Sequence, residues 1–200
     1  LQLQGKDSQA KEVYNKIVRE FASSPYSDDA LYKSGEIELN LENFAGAISQ
    51  FTKLIQTKQK SILVPNSFLK RAIAYSNQKN NDAAISDYRS ILNNFPTHAV
   101  SEDALLGLQD VLNTAGKSDE FSADLAKYKS KNPESSSTEN LEFETAKNIY
   151  FALQYAKAIP AFNNFLKSYP NSATNIEAKY YLADSYNRVA DTQNALKNFY

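Results

Sequence analysis

The 200-residue chain has no cysteine, one histidine and five glycines, and each shortage removes a class of chemistry. Without cysteine there are no disulfides and no thiolate metal sites, which leaves reducing and oxidising compartments equally open. The one histidine, His98, stands beside Pro96 in a connector, without the neighbours that catalysis or metal binding requires. The glycines form neither a phosphate-cradling loop nor a dinucleotide fingerprint. An excess of either charge is missing too: 22 Lys and Arg against 23 Asp and Glu leave a net charge of −1. A nucleic-acid binder displaces phosphate counterions with a basic surplus, so nucleic acid is not an expected partner. No run approaches the roughly 18 apolar residues of a membrane span, and no apolar leader precedes a cleavage-like site, so direct membrane insertion is not expected. The chain opens on Leu1, part-way through a repeat, and is expected to be a fragment or trimmed product, so that any targeting signal or lipid-anchor cysteine could lie outside it. Paired acids such as Asp28 and Asp29, or Glu102 and Asp103, fall in first helical turns, where negative charge complements the helix dipole. No catalytic residue, cofactor or metal is therefore expected.

What the chain does have is a period. Ala10, Ala47, Ala84, Phe121, Ala158 and Ala195 stand 37 residues apart. Four residues after each comes Tyr14, Phe51, Tyr88, Leu125, Phe162 and Phe199, and three further on Ile17, Leu54, Ile91, Tyr128 and Phe165. Twelve residues before the marks stand Gly35, Ala72, Gln109, Ala146 and Ala183, again mostly small. Apolar residues at i, i+3, i+4 and i+7 are helical spacing, so each repeat reads as a helix pair. Where antiparallel helices cross closely, small residues let the backbones approach and the aromatic a turn later fills the adjoining hole. The pattern predicts helices over 7–22, 27–40, 43–57, 65–78, 81–95, 101–114, 118–131, 138–152, 155–169, 175–189 and 192–200. Pro96, Pro133 and Pro170 are placed to end second helices, and Gly116 to occupy a tight turn needing a positive backbone angle.

These residues resemble the tetratricopeptide repeat family, whose units place small residues on both helices, an aromatic on each and a proline at the end. The resemblance implies an all-α fold, a right-handed α-α superhelix of about five 37-residue repeats with partial repeats at the ends. The usual spacing is about 34 residues. Because the within-pair spacing is ordinary, the extra residues are expected between pairs. There a phrase recurs, Phe21 to Ser27, Phe95 to His98 and Tyr169 to Ser172, which looks like the longer-period branch found in outer-membrane assembly lipoproteins and Tol-Pal accessory proteins. That branch implies a bacterial periplasm or cell envelope. Gln109 and Phe121 break both small sites of one unit, and Asn132 to Asn140, with Glu134, Ser135, Ser136 and Ser137, reads as an exposed connector. The expected organisation is an N-terminal block over 1–100, a divergent repeat and possible hinge over 101–137, and a C-terminal block over 138–200.

The same resemblance implies a non-catalytic scaffold that binds a protein or peptide along the first helices, on the concave face. Three rows would project inward: Tyr32, Leu69, Leu106, Phe143 and Tyr180; Glu36, Ile73, Asp110, Lys147 and Asp184; Leu39, Ser76, Asn113, Tyr150 and Asn187. An apolar first row beside acids and amides suits an extended peptide or amphipathic helix carrying aliphatic side chains and a few cations. The acids Asp28, Asp29, Glu36, Glu38, Glu102, Asp103 and Asp110 make first helices the more acidic face. A clamp for a C-terminal carboxylate would need basic residues where the first row is apolar, which disfavours that mode. Two other readings stand beside this one: a glycan or peptidoglycan module using Tyr32, Tyr150 and Tyr180, and the substrate-positioning part of a larger enzyme. The last helix has no following repeat to cover it, so self-association there is also expected.

Overall fold

The computed structural model describes residues 7–133, 135 and 138–199, with no side-chain description at 198 and 199. Glu134, Ser136, Ser137 and Tyr200, and the side chain of Phe199, thus lie outside the described residues. The described residues form eleven α-helices and no strand: α1 Asp7–Glu20, α2 Ser27–Asn40, α3 Phe44–Thr57, α4 Val64–Asn77, α5 Asn81–Asn94, α6 Ser101–Thr114, α7 Phe121–Lys131, α8 Thr138–Phe151, α9 Tyr155–Ser168, α10 Asn175–Arg188 and α11 Thr192–Phe199. Two 14-residue helices, a three-residue turn and a six-residue connector make the period in its regular form, as from Ser27 to Leu63. The chain divides into two compact units, Leu1–Val111 and Leu112–Tyr200. Within each, every helix packs on its successor along α1 to α5 and along α7 to α11, and first helices of adjacent pairs also touch, α2 with α4 and α8 with α10. This is an α-α solenoid fold.

The second helices show why the marks recur. Ala47, Phe51 and Leu54 on α3 are fully buried, as are Ala158, Phe162 and Phe165 on α9, while Ala84, Tyr88 and Ile91 on α5 are buried almost as completely. That i, i+4, i+7 seam lies against the small residues of the first helix. At Gly35 a β-carbon would fall 2.7 Å from the Phe51 ring, so only glycine allows that approach. In α6 another close approach is made backward, to the second helix of the preceding pair: at Gly107 a β-carbon would fall 2.5 Å from Tyr88 on α5. Phe121, in place of an alanine, is fully buried, and a 3-10 turn at Ser118–Glu120 replaces the first turn of α7.

Turns keep the period as strictly as helices do. Glu42, Lys79, Gly116, Leu153 and Ala190 all have positive φ, from 56° to 70°. Each closes a first helix with two backbone bonds, as when Glu42 donates to the Leu39 carbonyl and Asn43 to that of Glu38. This is the left-handed C-terminal cap that glycine favours, yet only one of the five positions carries glycine. Leu153→Gly is therefore expected to stabilise the chain by about 0.5–1 kcal/mol, and Gly116→Ala to destabilise it by about 1 kcal/mol, read by denaturant unfolding. The connectors repeat as well: Ser24, Ser61, His98, Ser135 and Ser172 donate to the carbonyls of Phe21, Lys58, Phe95, Asn132 and Tyr169. The extra residues of the period sit there. Gln59 stands in α3's connector at the phase of Pro96, so the backbone turn, not proline, is the common element.

Candidate functional site

The face formed by the first helices is not uniform. In the first unit Tyr32 is half-buried with its ring edge-on to Phe51 at 5.7 Å, and burial, with the Glu36 carboxylate second, pushes its hydroxyl up to about 12. Glu36 itself pairs with Lys33 at 2.8 Å. Leu39 packs against the cluster of Ala47, Phe51 and Ala74. Leu69 is buried, and Ile73 and Ser76 are partly so, whereas Leu106 and Asp110 are exposed. Glu38 is not a surface acid: it is buried, with a bond from the Asn43 amide at 2.8 Å and an ion pair to Lys11 at 2.9 Å. Tyr32, Leu39 and Leu69 thus belong at least in part to the core, and the open ground of this unit is at Leu106 and Asp110.

The second unit differs. Phe143 is buried against Phe165, with the Lys147 ammonium 5.0 Å from its ring centre. Asn113 is partly buried, its carbonyl taking the Gly116 N–H, and Asn187 is exposed. Tyr150 donates its hydroxyl to Asp184 Oδ2 at 2.6 Å, and Arg188 reaches the same oxygen at 3.1 Å. The bond to the Asp184 carboxylate, then burial, pushes the Tyr150 hydroxyl up to about 12. Around Tyr150 stand Tyr181 at 4.8 Å, Phe151 at 5.2 Å and Tyr155 at 5.4 Å, and Tyr181 in turn contacts Tyr180 at 5.5 Å. Phe151 and Tyr180 are 60% and 57% exposed. Lys147, held by Glu144 at 3.0 Å and near Glu177 at 3.7 Å, and Arg188, 5.7 Å from the Tyr155 ring, complete the patch.

Of the expected positions, the structure brings together Tyr150, Tyr180, Asp184 and Lys147. Sequence reasoning passed over Phe151, Tyr155, Tyr181 and Arg188, although the dyads Tyr150-Phe151 and Tyr180-Tyr181 carry the signal. Two neighbouring rings on a helix cannot both enter the core, so one of each dyad is forced outward. Among the described residues no three of His, Cys, Asp and Glu gather closely enough to hold a metal, and no helix is long and apolar enough to cross a membrane.

Comparison with known proteins follows the same periodicity. The tetratricopeptide repeat family model matches residues 29–57, 66–98 and 143–172. Among solved structures, a tetratricopeptide repeat protein from Parabacteroides merdae is similar at a TM-score of 0.59 and 18% identity, over 98% of this chain and 72% of that one. A structure of MamA protein is similar at a TM-score of 0.57 and 16% identity, over 88% of this chain and 90% of its own. BtubC from P. vanneervenii is similar at 0.55 and 13%, over 99% and 88%. At such identities the likeness is one of fold. No curated protein matches the chain.

Proposed function

We propose that this chain, three segments of which match the tetratricopeptide repeat, is a non-catalytic scaffold that binds an extended segment of a protein partner along its first helices. Such repeats generally mediate protein–protein interaction. The observation that carries the reading is the ring patch of the second unit. Phe151 and Tyr180 stand in solvent, braced by Tyr150, Tyr155 and Tyr181, where rigid aromatic area is available at little entropic cost. Asp184 and Glu177 lie beside it, so the segment it suits offers aliphatic or proline side chains and a lysine or arginine. The resemblance of the six-residue connectors to those of envelope repeat proteins supports a bacterial cell-envelope setting.

The test pairs two preparations. Protein co-purifying with the native chain is identified by mass spectrometry, and its affinity is then measured for the native chain and for Phe151→Ala/Tyr180→Ala. Both side chains are exposed, so the variant is expected to fold and melt as the native chain does. Its affinity is expected to fall by about tenfold or more, as when aromatic anchors of an interface are truncated. A partner held equally well by both preparations would contradict the assignment of the site.

A further inference from the structure

Two rings of the partner site stand up from its surface. Tyr181 on α10 stacks on Phe162 of the core, with ring centres 5.8 Å apart at 19°, so one face of it is turned inward and it serves as a floor. Tyr150 on α8 joins it at 4.8 Å, and both are partly buried. The exposed Phe151, from α8, meets Tyr181 at 5.7 Å and 72°, and the exposed Tyr180, from α10, meets it at 5.5 Å and 69°. These two rings are therefore walls, one from each first helix. With ring thickness subtracted, walls so near one floor ring leave too little width for an α-helix, which is about 10–12 Å across with its side chains. An extended chain fits.

The helices decide which kind of extended chain. Both walls and floor are carried by helices, whose backbone N–H and C=O groups are spent within their own turns, so no strand can be added to this face. A segment held here must bring its own conformation. Polyproline II does so, because the proline ring sets φ and the conformation has no internal hydrogen bonds to lose. Its rings also offer apolar surface to Phe151 and Tyr180 without side-chain entropy to forfeit. What it leaves open is its carbonyls, which need donors from the protein. The patch has them. Arg188 gives its Nε–H to Asp184 at 3.1 Å, which leaves its terminal N–H groups to donate, and Asn187, exposed on the same face three residues after Asp184, adds an amide. Glu144 and Glu177, each about half-exposed beside Lys147, set the charge that suits the flank of such a segment, which is a lysine or arginine.

We propose that the ring patch holds a proline-rich segment of its partner in the polyproline II conformation, with a basic residue at the segment's flank. This rests on the reading of the patch as the partner site and narrows it from extended segments in general to one conformation. The test is a chemical-shift titration of the intact chain with a blocked oligoproline peptide ending in arginine. In a control of the same length, glycine and serine replace the prolines and the arginine is kept. The proline peptide is expected to shift Phe151, Tyr180 and Tyr181, and to bind about tenfold more tightly than the control, whose flexible backbone must be ordered on binding. Arg188→Met, at a side chain 54% exposed, is expected to retain helical content and to weaken the proline peptide by about tenfold through the lost donors. Equal binding of the two peptides, shifts confined to other residues, or undiminished binding by Arg188→Met would each overturn the proposal. The partner measurement on Phe151→Ala/Tyr180→Ala keeps that failure distinct from failure of the site: a co-purifying protein that still depends on the two rings sustains the patch without proline, and one that does not removes the patch itself.

Discussion

Arg71→Ala is expected to destabilise the chain by about 3–5 kcal/mol, the scale found when one partner of a buried ion pair is removed. Asp87 is 4% exposed, and Arg71 satisfies both of its oxygens while reaching across to Thr52 on α3. The guanidinium also lies 5.4 Å from the Phe68 ring centre and 5.9 Å from that of Tyr75. Alanine leaves the carboxylate in a dry site with no countercharge and leaves the space around it unfilled. Burial already holds the Asp87 carboxyl above its ordinary range, against the pull of Arg71. Without Arg71 that upward shift grows, so the ionised form loses most and the deficit is expected to shrink as pH falls through the carboxylate range. Replacing both partners by apolar residues, Arg71→Met with Asp87→Leu, is expected to recover much of the loss. Urea unfolding at neutral and acidic pH measures all three. A single variant as stable as the native chain would mean that the pair contributes nothing.

The second large effect concerns the seam. Phe51→Ala is expected to cost about 3–5 kcal/mol, because the ring is fully buried among Ala47, Ala74 and the partly buried Tyr32 and Leu39. Gly35→Ala is expected to cost about 1–3 kcal/mol by overpacking, since the new methyl would lie 2.7 Å from that same ring. One change empties the space that the other overfills. Calorimetric melting of each variant gives the two values, and melting temperatures within a degree or so of the native chain would contradict both.

Much of this was legible without coordinates, because the packing constraint is local and repeats. Small residues at Gly35, Ala47, Ala72 and Ala84 announced close crossings, and the helix limits follow from them within about three residues, as at Val64 and Phe121. Turn chemistry was less visible. Leu153, Lys79 and Glu42 occupy a left-handed position that glycine would have flagged, and only the phase with Gly116 betrays them. The first-helix rows were the hardest to read. Whether a first-row side chain meets solvent depends on what other helices bring to it, and no single residue of the repeat encodes that. Leu69 is covered and Leu106 is not, although both hold the same place in the repeat.

The claim beneath all of this is that the small and large marks are two halves of one contact. A double-mutant cycle measures it directly: Gly35→Ala, Phe51→Leu and the two together, each unfolded in denaturant. The shorter side chain is expected to relieve the clash, so the double variant should be more stable than the sum of the single effects by about 0.5–3 kcal/mol, the range for residues in contact. Strict additivity would show that the two positions do not meet in solution, and would contradict the helix-pair register on which the account rests.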